Sequence, residues 1–241
     1  MQSFKNQMVS RENCPVLLGP KERLNALHWS QNVTLENLEF IDCQFIGEGL
    51  ATYGAPAFRS TARNLRLANC KTNSFSATGA IFDEVIVDGL RLSRAPAILS
   101  GCAFRRVTLT GYCGGFIFNR NVSHGDHERN VAFDASNRLF YGNVDWALDI
   151  RTINTAGLEF RGSIPARLIR RNPEEHFVIT RDVAQSGDWK QYEPHGSFQI
   201  AISLFLDSGS DDNVIVAAKR SRYFKEEVEY LHRLKAAGLV T

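Results

Sequence analysis

A five-residue period constrains this chain more than any other feature of its sequence. Two interleaved ladders of apolar residues run through VTLENLEFIDCQF, one at Val33, Leu38 and Cys43 and the other at Leu35, Phe40 and Phe45. The double ladder returns at Ala80, Val85 and Leu90 with Phe82, Val87 and Leu92. An α-helix repeats about every 3.6 residues and a strand about every 2 residues, so neither produces this spacing. Each unit is therefore predicted to be a very short strand followed by a corner.

This pattern resembles that of the pentapeptide-repeat family, in which small residues and Leu or Phe stack inside a right-handed β-helix. The match covers residues 31–110 and continues less regularly to residue 161. The insertion GEGLATYGAPAFRST interrupts it, and Asn or Asp before the central apolar residue, as at Asn64, is only occasional. The resemblance implies a mainly β fold, a right-handed parallel β-helix (solenoid) over residues 31–161, whose coils stack about 4.8 Å apart.

Two other folds compete with this interpretation. Val85, Val107, Val131 and Ile153 are spaced 22, 24 and 22 residues apart, which is the coil length of a general right-handed parallel β-helix. A β-sandwich or barrel of short strands also produces alternating apolar residues and frequent turns, although nothing in it requires a repeat of five.

Both ends of the repeat are predicted to be covered, because an open solenoid end exposes unpaired backbone and apolar surface. Residues 1–30 form the predicted N-terminal cap, with a short helix in PKERLNALHW. Residues 176–241 form a predicted C-terminal α/β capping lobe. Its predicted elements are strand HFVIT, helix RDVAQSGDW, helix SFQIAISLFLDSG with Ser197 as its cap, strand NVIVAA and helix RYFKEEVEYLHRLKAAG.

Composition indicates an ordinary globular protein, and the resemblance to pentapeptide-repeat proteins implies a bacterial one. The chain is 44% hydrophobic and 22% charged, and 28 Lys and Arg nearly balance 26 Asp and Glu. Neither the apolar run of a signal peptide nor a membrane-length apolar stretch occurs, which predicts a cytoplasmic protein with no membrane partner. Five cysteines without a CxxC pair are expected to be mostly buried thiols.

Few residues carry a recognisable chemistry. His124, Asp126, His127 and Glu128 are of types that ligate zinc, but without a helix their spacing reproduces no known ligand set, and NRNVSHGDHERN is predicted to be a solvated loop. No GxSxG, HExxH, P-loop or GxGxxG motif occurs. We therefore predict no catalytic residue, no cofactor and no bound metal.

The candidate partner-binding residues are aromatic and basic. They are Tyr112, Phe116, Tyr141, Trp146, Arg167, Arg170 and Arg171. A second basic run, Lys219, Arg220 and Arg222, is of the kind that grips phosphate or an acidic protein surface. Neighbouring carboxylates dilute both runs, which argues against nucleic acid as the partner. Core filling is the alternative explanation for the aromatic residues.

The sequence favours a non-enzymatic module that binds another protein, and an immunity protein that neutralises a toxin is the candidate role. Some pentapeptide-repeat proteins mimic duplex DNA, which requires an acidic rod. Residues 33–120 hold seven Asp or Glu against nine Lys or Arg, which disfavours that role. The alternative is a carbohydrate-active β-helix enzyme resembling pectate lyases, which needs more coils and carboxylates aligned on one face. A self-assembling scaffold is a third hypothesis, which capped ends disfavour.

Overall fold

The computed structural model describes residues 1–9, 22–24, 27–29, 33–45, 49–51, 54–194 and 196–241. The first ten strands are β1 (Gln2–Lys5), β2 (Met8–Val9), β3 (Glu22–Leu24), β4 (Leu27–Trp29), β5 (Thr34–Ile41), β6 (Gln44–Phe45), β7 (Gly49–Ala51), β8 (Thr61–Thr72), β9 (Ser76–Thr78) and β10 (Ile81–Leu92). The others are β11 (Ala97–Ser100), β12 (Ala103–Arg105), β13 (Val107–Cys113), β14 (Phe116–Asn119), β15 (Leu148–Asp149), β16 (Ile153–Thr155), β17 (Leu158–Arg161), β18 (Ile169–Arg170), β19 (His176–Thr180) and β20 (Asp212–Val216).

Helices are few and lie mostly after the main run of strands. The α-helices are α1 (His127–Tyr141), α2 (Arg181–Ser186), α3 (Gly196–Ser208) and α4 (Phe224–Ala236). Short 3-10 turns lie at Pro56–Phe58, Ala166–Leu168 and Asp188–Tyr192.

Two large parallel sheets dominate the fold. In the described residues one sheet has eleven strands, with the main order β1-β5-β8-β10-β13-β15-β18, and the other has five, in the order β17-β14-β11-β9-β7. The chain visits the two sheets in turn, so β8 and β10 belong to the larger sheet whereas β9 and β11 belong to the smaller. The prediction of a mainly β protein built on parallel strands is confirmed.

Left-handed backbone residues explain the five-residue period. They recur five positions apart in or directly beside β5, β8, β10 and β13, which are neighbours in the larger sheet. The pairs are Asn37 and Asp42, Asn64 and Asn69, Glu84 and Gly89, and Arg106 and Gly111. Most of them lie between two buried positions that are three residues apart in sequence, as Asn37 (φ 58°) lies between Leu35 and Leu38. Gly111 is an exception, because Tyr112 directly after it is half-exposed. The left-handed residue shifts the alternation by one position, so the next residue faces the interior again. Asn, Asp and Gly adopt this conformation most readily, which is why most of these positions hold them.

The buried ladders stack in register from strand to strand. Leu38 pairs with Leu65, and Leu65 pairs with Val85. The longer period fails at Val131, which is 53% exposed on α1 and belongs to neither sheet. The spacing of 22, 24 and 22 is therefore not one continuous ladder. After β14, in the smaller sheet, the chain forms α1 before it returns to the larger sheet at β15.

The N-terminal segment differs from its prediction. The helix expected in PKERLNALHW is wrong, because β3 and β4 within that segment pair as antiparallel strands, with Glu22 opposite Trp29. A helix of about ten residues is marginal on its own in water, so strand pairing readily displaces it. The parallel sheet also begins inside the predicted cap, since β1 pairs with β5 from Gln2 onward. The division into cap, repeat and lobe stays a prediction.

The C-terminal elements follow the order that the sequence predicts. Strands β19 and β20 pair with each other, in an antiparallel arrangement, and α2, α3 and α4 enclose a second apolar core that includes Phe205 and Leu231. Gly209 (φ 74°) follows the end of α3. Helix α3 begins at Gly196, so Ser197 lies in its first turn and the prediction of Ser197 as the cap is wrong. The side chain of Asn213 joins the two parts, because its Nδ2 donates to the carbonyl of Phe160 at 2.9 Å.

Candidate functional site

A cleft of about 420 Å³ lies on the outer side of the larger sheet, where the C-terminal segment reaches it. Its polar lining comprises three cations, a tyrosine and small hydrogen-bonding side chains. The principal residues are Lys71, Arg91, Arg220, Tyr112, Asn73 and Ser93. None of the described residues that line it is a carboxylate. The cleft is therefore a candidate binding site for an anion.

Two neighbouring strands place the first two cations. Lys71 on β8 and Arg91 on β10 are direct register partners. The residues before them, Cys70 and Leu90, are buried, so strand alternation turns both cations outward. Neither forms an ion pair within the described chain, and Arg91 makes only a 3.4 Å hydrogen bond to Oδ1 of Asn69. Like charges directly opposite each other on adjacent strands repel, so this pair weakens the free sheet.

Elsewhere on the same sheet, opposite charges face each other. Asp83 lies between Arg63 and Arg105 on the two adjacent strands, at 3.1 Å from Nε of Arg63 and 2.7 Å from Nε of Arg105. The Arg105 guanidinium, with Arg63, holds the pKa of the Asp83 carboxyl below its ordinary value. Arg66 likewise pairs with Glu39 at 2.9 Å. The Lys71–Arg91 pair differs, because here two positive charges lie opposite each other.

The C-terminal segment supplies the third cation. The Arg220 guanidinium stacks on the half-exposed ring of Tyr112, 3.7 Å from the ring centroid. Its Nη1 donates to the carbonyl of Cys113 at 3.1 Å, and its backbone N–H donates to the carbonyl of Thr155 at 3.0 Å. Arg220 is therefore oriented before any ligand arrives, which lowers the entropy lost on binding.

Comparisons of the chain with protein-family models, with curated proteins and with solved structures find no match. The resemblance to pentapeptide-repeat proteins consequently rests on the ladders of this sequence alone. Among the described residues no helix is long and apolar enough to cross a membrane.

The structure separates the predicted aromatic contacts into two groups. Tyr112 lines the cleft, and Trp146 is half-buried beneath Arg170, whose guanidinium lies 4.1 Å from its ring. Phe116 and Tyr141 are each only 4% exposed and pack in the core of the sheets. The prediction that these two residues contact a partner is therefore wrong, because the Phe116 ring on β14 and the Tyr141 ring at the end of α1 are both packed in the buried core.

The predicted basic run is not gathered into one site. Arg167 is exposed, and Arg170 stacks on Trp146. Arg171 is half-buried and donates from Nη1 to the C-terminal residue Thr241 at 3.4 Å. These residues stay candidates for partner contact, but the structure gives them no shared cleft with Tyr112 among the described residues.

The His124–Glu128 segment is not the simple loop that was expected. Asp126 accepts a hydrogen bond from the backbone N–H of Arg129 at 3.0 Å and so caps α1, which begins at His127. Asp at this position satisfies a free N–H of the first turn, which explains the residue without a metal. In the described chain no group of three or more His, Cys, Asp or Glu is placed to hold a metal ion.

Sequence reasoning missed Lys71 and Arg91. Their signal lies in the repeat itself, because each directly follows a buried ladder residue, Cys70 or Leu90. The repeat therefore marks both side chains as outward-facing, but only the observed strand register shows that they lie opposite each other. The contribution of Arg220 leaves no such signal, since it depends on how the C-terminal segment packs.

Proposed function

We propose that this protein is a non-enzymatic module that binds an acidic segment of another protein in the Lys71–Arg91–Arg220 cleft. The observation that carries the proposal is the unneutralised Lys71–Arg91 pair on adjacent strands. A carboxylate-rich segment would relieve the repulsion between these cations on binding. Complementary charge of this kind speeds association and selects among partners.

We also propose that the two parallel sheets wind as a right-handed β-helix of the pentapeptide-repeat type. Support comes from the left-handed residues at five-residue spacing and from the regular alternation of strands between the sheets. Such a fold offers a flat outer face on which side chains repeat at strand spacing. A bacterial cytoplasmic setting, with neutralisation of a toxin as the candidate role, completes the proposal.

The carbohydrate-active alternative needs carboxylates that are free to act as acid, base or calcium ligand. On the larger sheet the described carboxylates of Asp83 and Glu39 are engaged by arginines, and Asp149 pairs with Arg151. This pairing supports binding over catalysis as the function of that face.

The test is affinity capture from lysate of the native host, repeated with a charge-reversal variant. We expect a protein captured at a one-to-one ratio by the native chain, with affinity that falls as salt rises. Lys71→Glu together with Arg91→Glu should reduce the affinity at least tenfold. Lys225→Glu, on an exposed position of α4 outside the cleft, is the matched control and should bind as the native chain does.

Two results would overturn the proposal. One is capture of no stoichiometric protein together with turnover of a glycan substrate, which would favour the enzyme. The other is a captured protein whose affinity is the same for the double variant and for the native chain, which would move the interface away from the cleft.

A further inference from the structure

A second cleft of about 420 Å³ lies between the smaller parallel sheet and the C-terminal elements. Leu158 on β17 contributes to one wall, and Phe198 and Ala201 on α3 with Val216 on β20 contribute to the other. The smaller sheet and the C-terminal elements therefore both line this cleft. A mostly apolar cleft with a few polar groups, placed between two cores, is a common setting for a small-molecule site.

One carboxylate lines this cleft without a cation. Glu227, in the first turn of α4, is only 5% exposed. The hydroxyls of Ser221 and Ser197 both reach its Oε1, at 3.3 Å and 3.5 Å. Its Oε2 accepts no hydrogen bond from any described residue, and no Lys, Arg or His of the described chain lies within ion-pair distance.

The hydrogen-bond partners of this carboxylate among the described residues are thus two hydroxyls on one oxygen, with no cation. A buried charge is costly unless a partner of opposite charge and hydrogen bonds replace the lost water. The positive end of the α4 dipole offsets part of that cost, because Glu227 lies in the first turn. The other carboxylate of the cleft, Glu159, differs because Arg161 pairs with it.

We propose that this cleft binds a small organic cation, a primary ammonium carried on an apolar body. The ammonium would meet Oε2 of Glu227, and the apolar part would lie against Leu158, Phe198 and Val216. A bare metal ion fits less well, because Mg²⁺ and Ca²⁺ require six or more oxygen ligands whereas one carboxylate and two hydroxyls supply only a few. This site shares no residue with the basic cleft, so it stands independently of the proposed function.

Phenethylammonium tests the proposal, with 2-phenylethanol and phenylacetate as neutral and anionic analogues of similar size. Each is titrated into the ¹⁵N-labelled full chain, and the amide resonances of Gly157 and Ala218 report on the cleft. We expect saturable shifts with phenethylammonium and weaker or no shifts with the two analogues. Glu227→Gln should weaken phenethylammonium binding at least tenfold, whereas Glu159→Gln should retain it.

A variant that keeps the carboxylate provides the second line of evidence. Ala201→Phe fills the cleft from α3 and should therefore abolish binding. This variant still tests the proposal if Glu227→Gln fails to fold. Lys71→Glu with Arg91→Glu should bind phenethylammonium as the native chain does, which separates this site from the proposed protein interface. Equal affinity for phenethylammonium and 2-phenylethanol, no saturable binding, or unchanged binding by Ala201→Phe would each overturn the proposal.

Discussion

The side-chain amide of Asn64 donates to Oδ1 of Asn37 at 2.6 Å, and both residues hold a left-handed backbone, with φ of 49° and 58°. Asn64→Gly should lose the hydrogen bond and raise the entropy of the unfolded chain but add no strain, because glycine adopts this backbone freely. Asn64→Val should cost about 1–2 kcal/mol more in the free energy of unfolding, since a β-branched residue is strained there. Urea denaturation of both variants measures the difference. Equal losses in the free energy of unfolding would contradict the requirement for a left-handed backbone at this position.

Arg59 is buried between the sheets and α1, and it is held by several acceptors. Its Nε donates to the carbonyl of Gly79 at 2.6 Å, and its Nη2 donates to the carbonyl of Gly101 at 2.8 Å and to Oδ1 of Asn137 at 2.7 Å. The guanidinium thus ties two left-handed corners, Gly79 and Gly101, to the helix.

We expect Arg59→Met to destabilise the protein by about 3 kcal/mol, because it leaves the Gly79 carbonyl and Oδ1 of the buried Asn137 without their donor. The melting temperature should fall by several degrees. Arg94→Met removes an exposed arginine and is the control, with an expected change within about 0.5 kcal/mol. Similar melting temperatures for the two variants would show that the buried guanidinium adds little to stability.

Lys71→Glu should stabilise the free chain while weakening partner binding. The substitution places a carboxylate opposite Arg91, so repulsion becomes attraction worth about 0.2–1 kcal/mol. Thermal melts at low salt should show the gain, and melts at about 0.5 M salt should show less of it because exposed charges are then screened. A fall in melting temperature at low salt would contradict the account of the Lys71–Arg91 pair.

His176 is buried and its Nδ1 accepts a hydrogen bond from the backbone N–H of Asn172 at 3.2 Å. Burial, with smaller contributions from Lys219 and Arg171, lowers the pKa of His176 to about 4. The Glu175 carboxylate, 4.0 Å from Nε2, is the one nearby group of opposite charge among the described residues.

Stability should therefore fall as the pH falls from about 6.5 towards about 4, since the unfolded chain takes up a proton that the folded chain does not. The loss attributable to His176 is on the order of 3 kcal/mol at the acidic end of this window. His176→Gln should remove that part of the pH dependence. Urea denaturation of both proteins across the window isolates the effect, and parallel pH profiles would contradict it.

The described cysteines Cys43, Cys70, Cys102 and Cys113 are all buried free thiols, which confirms the prediction for these four, and Cys14 lies outside the described residues. Burial raises the pKa of Cys70 to about 11 and that of Cys102 to about 12. Iodoacetamide at about pH 8 should label neither in the folded chain, because the thiolate is the nucleophile, but both in urea. Peptide mass spectrometry reads out each site, and rapid labelling of either in the folded chain would contradict its burial.

Local chemistry made much of the fold predictable. The period of five follows from residues that tolerate a left-handed backbone, such as Asn64, set between buried positions such as Leu65. The C-terminal helices and strands were equally predictable from the sequence, because amphipathic spacing is a local property. The helix that begins at His127 lies partly in a segment predicted to be a loop. Asp126 is a local signal for its start, but the packing of Phe133 against Arg59, which is distant in the sequence, leaves no such signal.

The sequence by itself determined the parallel, mainly β architecture, because the five-residue units share a pattern of two apolar positions and one residue that tolerates a left-handed backbone. Only the tertiary structure decided which outward charges meet. Lys71 and Arg91 face each other because of the register in which β8 pairs with β10, and Arg220 joins them because the C-terminal segment packs across β13 and β16. Neither juxtaposition is encoded in local spacing, since both arise from contacts between residues far apart in the chain.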